Sequence, residues 1–243
     1  MPRRKILFVI VEGPSDEEAL GVLLTRIYNN QEVYVYTMHC DITTESTVNS
    51  GNIVAKIGNI IKGYAGKIFR PSDFSQIIHI IDTDGAFIPD DFIVQDNSAT
   101  RPLYSITEIR TNWKAGIVQR NRCKRENVNR LISTSKIWNV PYQIYYMSCN
   151  LDHVLYGKLN CTDIEKENNA FVFAKKYRDD IPGFLNYISE SEFSVVSDYN
   201  QSWQYIREGL HSLERHTNLG LCLKTKPSDS SELKNSPNTP VVY

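Results

Sequence analysis

Thiol chemistry, membrane anchorage and a bulk charge are all thinly represented in this sequence of 243 residues. Its five cysteines (Cys40, Cys123, Cys149, Cys161, Cys222) are scattered, with no CxxC and no Cys/His cluster. That argues against a zinc site and against a disulfide framework. No run approaches the ~18 consecutive apolar residues a membrane span requires. The basic start is followed by an apolar stretch, Ile6 to Val11, that is too short for a signal-peptide core before Glu12 interrupts it. The expected compartment is therefore the cytoplasm, with no membrane partner. The formal charge of −1 excludes a protein that coats polyanions over its whole surface, so any nucleic-acid contact must be a local patch. There is no internal repeat and no GxxxxGK followed by Ser or Thr, so the chain offers no phosphate loop for ATP.

What is present is an alternation of buried-strand and helical patterns. Hydrophobic residues make up 41% and charged residues 23%, enough apolar material for one large domain. Lys5 to Val11 (KILFVIV) and Gln76 to Ile81 (QIIHII) are continuous apolar runs of the kind buried on both faces of a sheet. Glu32–Met38 and Tyr142–Met147 supply further strands. Asp16–Tyr28 and Ile53–Tyr64 carry helical spacing, with Ser15 and Glu18 placed as a capping box for the first of them. The expected fold is α/β, with a mainly parallel central sheet flanked by helices over residues 1–150. A helical C-terminal region over 151–223 is expected to pack on it, with segments near Asp163–Tyr177, Gly183–Ser189 and Ser202–His216. Residues 224–243, rich in Ser, Pro, Lys and Asn, read as a disordered tail. Residues 86–107 lose regular pattern and read as a long loop.

Two acidic clusters follow the two most apolar strands directly. One is Glu12-Gly13-Pro14-Ser15-Asp16, the other Asp82-Thr83-Asp84-Gly85. Ligand sites of doubly wound sheets lie outside the carboxyl ends of the strands where the strand order reverses. Neighbouring first and third strands would thus bring Glu12 and Asp82 together. In an extended segment Asp82 and Asp84 would face the same way. Converging carboxylates repel, and a divalent cation resolves the repulsion; an all-oxygen set favours Mg²⁺ or Mn²⁺.

The hhhhEGxxD pattern ending at Asp16 and the hhhhDxDG pattern at Ile78–Gly85 together resemble the Toprim domain. That domain is shared by topoisomerases, bacterial primases, a ribosomal-RNA maturase and OLD-family nucleases. The resemblance covers roughly residues 5–150 and implies a Toprim-like Rossmannoid fold. It implies Glu12 as metal ligand and general acid/base, and Asp82 and Asp84 as metal ligands. It implies acidic positions of the nuclease-like members at Asp16 and, after the Tyr142–Met147 strand, at Asp152. A catalytic lysine at Lys158, on the same expected helix as Asp152 and His153, follows the pattern of some Toprim nucleases. Strand passage and priming are not expected, since no topoisomerase-like tyrosine context and no zinc module are present. Stand-alone Toprim proteins resemble effectors of anti-phage defence that pair with an ABC-type ATPase, which here would be a separate partner.

A basic segment from Arg101 to Lys136 holds nine basic residues (Arg101, Arg110, Lys114, Arg120, Arg122, Lys124, Arg125, Arg130, Lys136) against Glu108 and Glu126. On an expected helix over 112–132, with Trp113, Ile117, Val128 and Leu131 packing inward, Lys114, Arg120, Arg122, Lys124 and Arg125 are expected to contact DNA or RNA phosphates. The bland alternative is a solvated helix face. His211 and His216 receive no role, and oligomerisation is left open. The expected function is metal-dependent phosphodiester hydrolysis. Two alternatives stand beside it: a haloacid-dehalogenase-like phosphatase with Asp82 as nucleophile and Asp84 as general acid, disfavoured by Ala86 and the late position of the motif, and a non-catalytic interaction protein.

Overall fold

The structure, a computed structural model, describes residues 4–28, 33–195 and 197–224. The expected tail beyond Lys224 lies outside the described residues. Strand β1 (Lys5–Val11) leads into helix α1 (Pro14–Tyr28), then strand β2 (Val33–His39), helix α2 (Ile53–Ala65) and strand β3 (Phe74–Asp82). Three short strands follow, β4 (Ile93–Gln95), β5 (Leu103–Tyr104) and β6 (Ile109–Thr111), then helix α3 (Lys114–Ile132) and strands β7 (Lys136–Ile137) and β8 (Val140–Met147). The chain continues as helices α4 (Leu151–Tyr156), α5 (Asp163–Tyr177), α6 (Ile181–Glu190), α7 (Tyr199–Tyr205) and α8 (Leu219–Lys224). The architecture is α/β. A five-stranded sheet runs in the order β2-β1-β3-β8-β7, parallel except for β7, with helices on both faces.

The alternation along β1 explains why its sequence is apolar throughout. Leu7, Val9 and Val11 join one core with Leu20, Leu23 and Leu24 of α1 and with Phe173 and Phe184 of α5 and α6. Ile6, Phe8 and Ile10 join the opposite core with Ile53, Ile57 and Ile61 of α2 and Val128 and Leu131 of α3. All six β1 side chains are at most 4% exposed. Each fully buried aliphatic or aromatic side chain contributes roughly 1.5–3 kcal/mol of hydrophobic stabilisation. The chain passes from β1 to β2 through a helix on one face, and from β2 across β1 to β3 through a helix on the other. The strand order therefore reverses between β1 and β3.

The C-terminal helices are not a separate body. Leu151, Phe173, Phe184 and Leu219 share the α1 core, while Trp203 and Ile206 sit in the α2 and α3 core. Residues 212–217 also lace the loops that follow β3 and β8. Thr83 Oγ1 donates to the Ser212 carbonyl (2.9 Å), Phe87 N donates to Ser212 Oγ (3.2 Å), and Ser148 N donates to the His216 carbonyl (2.8 Å). Among the described residues no helix is long and apolar enough to cross a membrane.

Three local expectations are corrected. Residues 86–107 are not a plain loop. They supply β4 and β5 of a small three-stranded sheet, β4-β6-β5, packed around Ile88, Ile93, Ile109, Ile117 and Leu213. These strands are too short for a periodicity to show in sequence. Trp113 does not pack inward but is 70% exposed, because it stands just before α3 begins. Ser15 is already inside α1, and Asp16, not Glu18, reaches back to the Gly13 N–H (3.0 Å).

Gly85 shows how tightly the post-β3 loop is held. Its φ is +63°, and an added Cβ would lie 2.5 Å from Leu213 Cδ2 and 3.0 Å from Ile109 Cδ1. Gly85→Ala is expected to destabilise by about 2–3 kcal/mol through left-handed strain and overpacking together, read as a lower urea midpoint at unchanged slope. An unchanged midpoint would mean the loop relaxes freely.

Candidate functional site

Every strand that ends at the switch point contributes an acid or its support. Glu12 follows β1 directly, Asp41 follows β2, Asp82 closes β3, Asp84 lies two residues on, and Asp152 sits in the first turn of α4 behind β8. Glu12, Asp16, Asp41, Asp82, Asp84 and Asp152 line one crevice of about 460 Å³, with Asp163, Lys166 and Glu167 of α5 on its outer wall. The five expected metal ligands, Glu12, Asp16, Asp82, Asp84 and Asp152, thus meet in one place.

How each acid is held follows from its local backbone. Asp16 stands in the first turn of α1 and accepts the Gly13 N–H, a helix-cap bond that also aims its carboxylate at the crevice. Glu12 accepts the Thr43 hydroxyl at 2.8 Å, and Thr43 is itself anchored by Asn127 Nδ2 on its carbonyl at 3.0 Å. Asp82 Oδ1 accepts the Leu151 N–H at 3.0 Å, tying β3 to the start of α4. Asp84 departs from the expected extended geometry. Its φ is +50°, and its N–H is bound to the Cys149 carbonyl at 2.8 Å. The chain turns away from the strand at Thr83, whose buried hydroxyl accepts the Cys149 N–H at 2.8 Å. Asp82 and Asp84 therefore share a crevice because of a turn, not because of strand alternation. Asp152 is 4% exposed and its Oδ1 has no hydrogen-bond partner.

Lys124 departs furthest from the expectation. It is not a surface phosphate contact: its side chain is 0% exposed and its ammonium lies between two of the acids. Lys124 Nζ is 3.3 Å from both Glu12 carboxylate oxygens and 2.5 Å from Asp84 Oδ2. Two more of the expected nucleic-acid residues also turn inward. Arg120 donates to the Asp84 carbonyl (2.8 Å) and the Tyr104 hydroxyl (2.6 Å), and Arg125 donates to the Ala86 carbonyl (2.8 Å). They brace the post-β3 loop. Arg122 is exposed and Lys114 half-buried, so only these two of the five remain toward solvent. Lys158 is not on α4. The helix stops at Tyr156 because Gly157 takes a left-handed φ of +68°, and Lys158 Nζ donates to Asn169 Oδ1 at 2.8 Å. The crevice is lined by Lys166 instead. His153 is buried, with Nδ1 unpartnered, and lies outside the crevice lining.

Burial first, and crowding of acids second, moves their protonation. Burial raises Glu12 to about 8 against the smaller opposing pull of Lys124, with Asp84 and Asp41 adding to the rise. Asp16 is raised to about 6 by burial and by Asp152. Burial holds Asp82 well above the usual carboxylate range, helped by repulsion from Asp16, Glu12 and Asp84. Asp84 goes the other way: burial raises it, but Lys124 and Arg120 outweigh burial and keep it ionised.

The crevice offers only hard oxygen donors, one of them an orphaned buried carboxylate oxygen, and it holds more acids than nearby ammonium groups can neutralise. That donor chemistry suits a divalent cation such as Mg²⁺ or Mn²⁺. As the side chains stand, no three His, Cys, Asp or Glu groups among the described residues are arranged to grip an ion. Glu12 and Asp84 are turned onto Lys124, which explains why the set is open. Asp41, Thr43 and Lys166 were missed from sequence. Asp41 could have been found by its place just after β2; nothing in the α5 sequence marks Lys166.

Fold and site define a mainly parallel α/β protein with an acidic crevice at its topological switch point. No family model, curated protein or solved structure matches the chain.

Proposed function

We propose that this chain is a Mg²⁺- or Mn²⁺-dependent nuclease of Toprim type, hydrolysing DNA or RNA phosphodiesters. One observation carries the reading: acids from two separate strand ends, Glu12 after β1 and Asp82 with Asp84 at the end of β3, meet in a single crevice with Asp16 and Asp152. Glu12, Asp16, Asp82, Asp84 and Asp152 would hold the ion. A bound divalent ion supplies charge neutralisation at the phosphoryl oxygens and an activated water. Glu12, buried and raised toward neutrality, is suited to accept or return a proton at its carboxylate. Thr43 orients that carboxylate. Arg120 and Arg125 hold the loop that carries Asp84. A separate ATPase partner and a role in anti-phage defence belong to the same proposal and rest on resemblance alone.

The test is purified protein with Mn²⁺ or Mg²⁺ against plasmid, single-stranded DNA and transfer RNA. Absence of divalent-dependent cleavage on all three, by the full chain, would count against the reading. Fluoride-sensitive phosphatase activity that needs Asp82 but not Glu12 would select the phosphatase instead. Full biological activity of a Glu12→Gln, Asp82→Asn double variant would select a non-catalytic interaction protein.

Nucleic-acid retention can be examined apart from the crevice. Reversing the outward pair, Lys114→Glu with Arg122→Glu, is expected to weaken retention by about tenfold at moderate salt and to flatten the salt dependence by one to two phosphate contacts. Equal retention at low salt would remove this face of α3 from the binding surface.

A further inference from the structure

We infer that Lys124 is the crevice's resident counter-cation, and that its ammonium and a divalent ion compete for the same two carboxylates, Glu12 and Asp84. This rests on the proposed metal-dependent reading and concerns how that site is kept when no ion is bound.

A lysine is almost never fully buried unless it is paired, and Lys124 is 0% exposed. Its ammonium bonds span Glu12 Oε1, Glu12 Oε2 and Asp84 Oδ2, so both oxygens of Glu12 are engaged at once. The side chain is delivered by a helix anchored on either side of it. Arg120 grips the Asp84 carbonyl, Arg125 the Ala86 carbonyl, and Asn127 the Thr43 carbonyl beside Glu12. Lys124 is thus held at the point where the post-β1 and post-β3 acids approach each other.

The remaining acids are held differently. Asp16 is bonded to the Gly13 N–H, Asp82 to the Leu151 N–H, and Asp152 Oδ1 has no partner. An entering cation meets these three without displacing Lys124, and shares the crevice with Lys166 on its α5 wall. It gains Glu12 and Asp84 only as Lys124 gives them up, because the same oxygens cannot serve both and two cations in contact repel. Lys124 therefore keeps the crevice from flying apart electrostatically when empty, and it weakens the affinity of the crevice for metal.

The test is calorimetric titration of MnCl₂ into the chelator-treated full chain, comparing wild type with Lys124→Met and Lys124→Gln, alongside melting temperature with and without Mn²⁺. Competition predicts at least tenfold tighter Mn²⁺ binding in both variants and a larger Mn²⁺-induced rise in melting temperature than in wild type. If wild type binds Mn²⁺ as tightly as the variants or more tightly, the competition is wrong while the metal reading stands. If only the variants bind, the competition is upheld and the metal loses its place in the native function. If none binds, both fail. Should a variant fold only when Mn²⁺ is supplied, the interchange of cations is supported; a variant that Mn²⁺ cannot rescue overturns it.

Discussion

Replacing Glu12 by Gln is expected to lower divalent-dependent cleavage by about a thousandfold while leaving the fold intact. The side chain keeps its size and its Thr43 contact, and Lys124 keeps Asp84 as a partner. Glu12 sits where burial and the neighbouring acids already oppose its charge, so a neutral amide removes repulsion. The melting temperature of the metal-free variant should be equal to or above that of wild type. Few substitutions combine lost activity with unchanged or higher stability, and that pairing is the signature of a strained acidic site. Cleavage by Glu12→Gln at the wild-type rate would take Glu12 out of the chemistry. A collapsed melting temperature would make Glu12 a structural partner of Lys124 first.

Stability of the metal-free protein is expected to fall as pH rises from 6.5 to 8. A carboxyl whose folded pKa is raised binds more protons folded than unfolded, so its contribution is complete below the unfolded value and is lost through the folded one. For Glu12 that window runs from 4.5 to about 8, and for Asp16 from 3.8 to about 6. Asp82 acts in the same direction. Asp84, whose pKa is lowered, acts oppositely, but only in acid near and below its ordinary value of 3.8. Burial lowers His79, His153 and His216, whose contributions grow with pH only up to their ordinary value of 6.5. Above that value Glu12 and Asp82 act unopposed, and the expected drop in melting temperature in chelator between pH 6.5 and pH 8 is on the order of 5 °C. Mg²⁺ or Mn²⁺ should shrink that drop, because an ion that binds the ionised carboxylates stabilises the folded state most where they are ionised. A flat or rising profile in chelator would mean that the acids are already neutralised within the protein and that no ion is called for.

The positions of Glu12 and Asp82 were legible because each follows an apolar strand, and strand ends on one edge of a parallel sheet must lie near one another; Asp152 entered only through the Toprim resemblance. Asp84 was legible as a member of the site but not in its geometry. The left-handed turn at that residue depends on hydrogen bonds to Cys149, far away in the chain. For Lys124 the asymmetry of sign in its segment points to the surface, but its helical phase points to the interior. Ile117, Asn121, Lys124, Val128 and Leu131 fall on one stripe of α3 and all are buried. A lysine on that stripe has to find a carboxylate inside. Lys158 lies off α4 because Gly157 ends that helix at Tyr156, two residues short of it.

By itself the sequence determined the α/β class, the two buried strands and the acids at their ends, because hydrophobic period and strand-end position are local properties. Only the tertiary structure decided which cation those acids face. A helix from the middle of the chain and a segment near its end are brought onto the same strand edge, and there the low-dielectric floor of the crevice makes a buried ammonium and a cluster of carboxylates depend on one another.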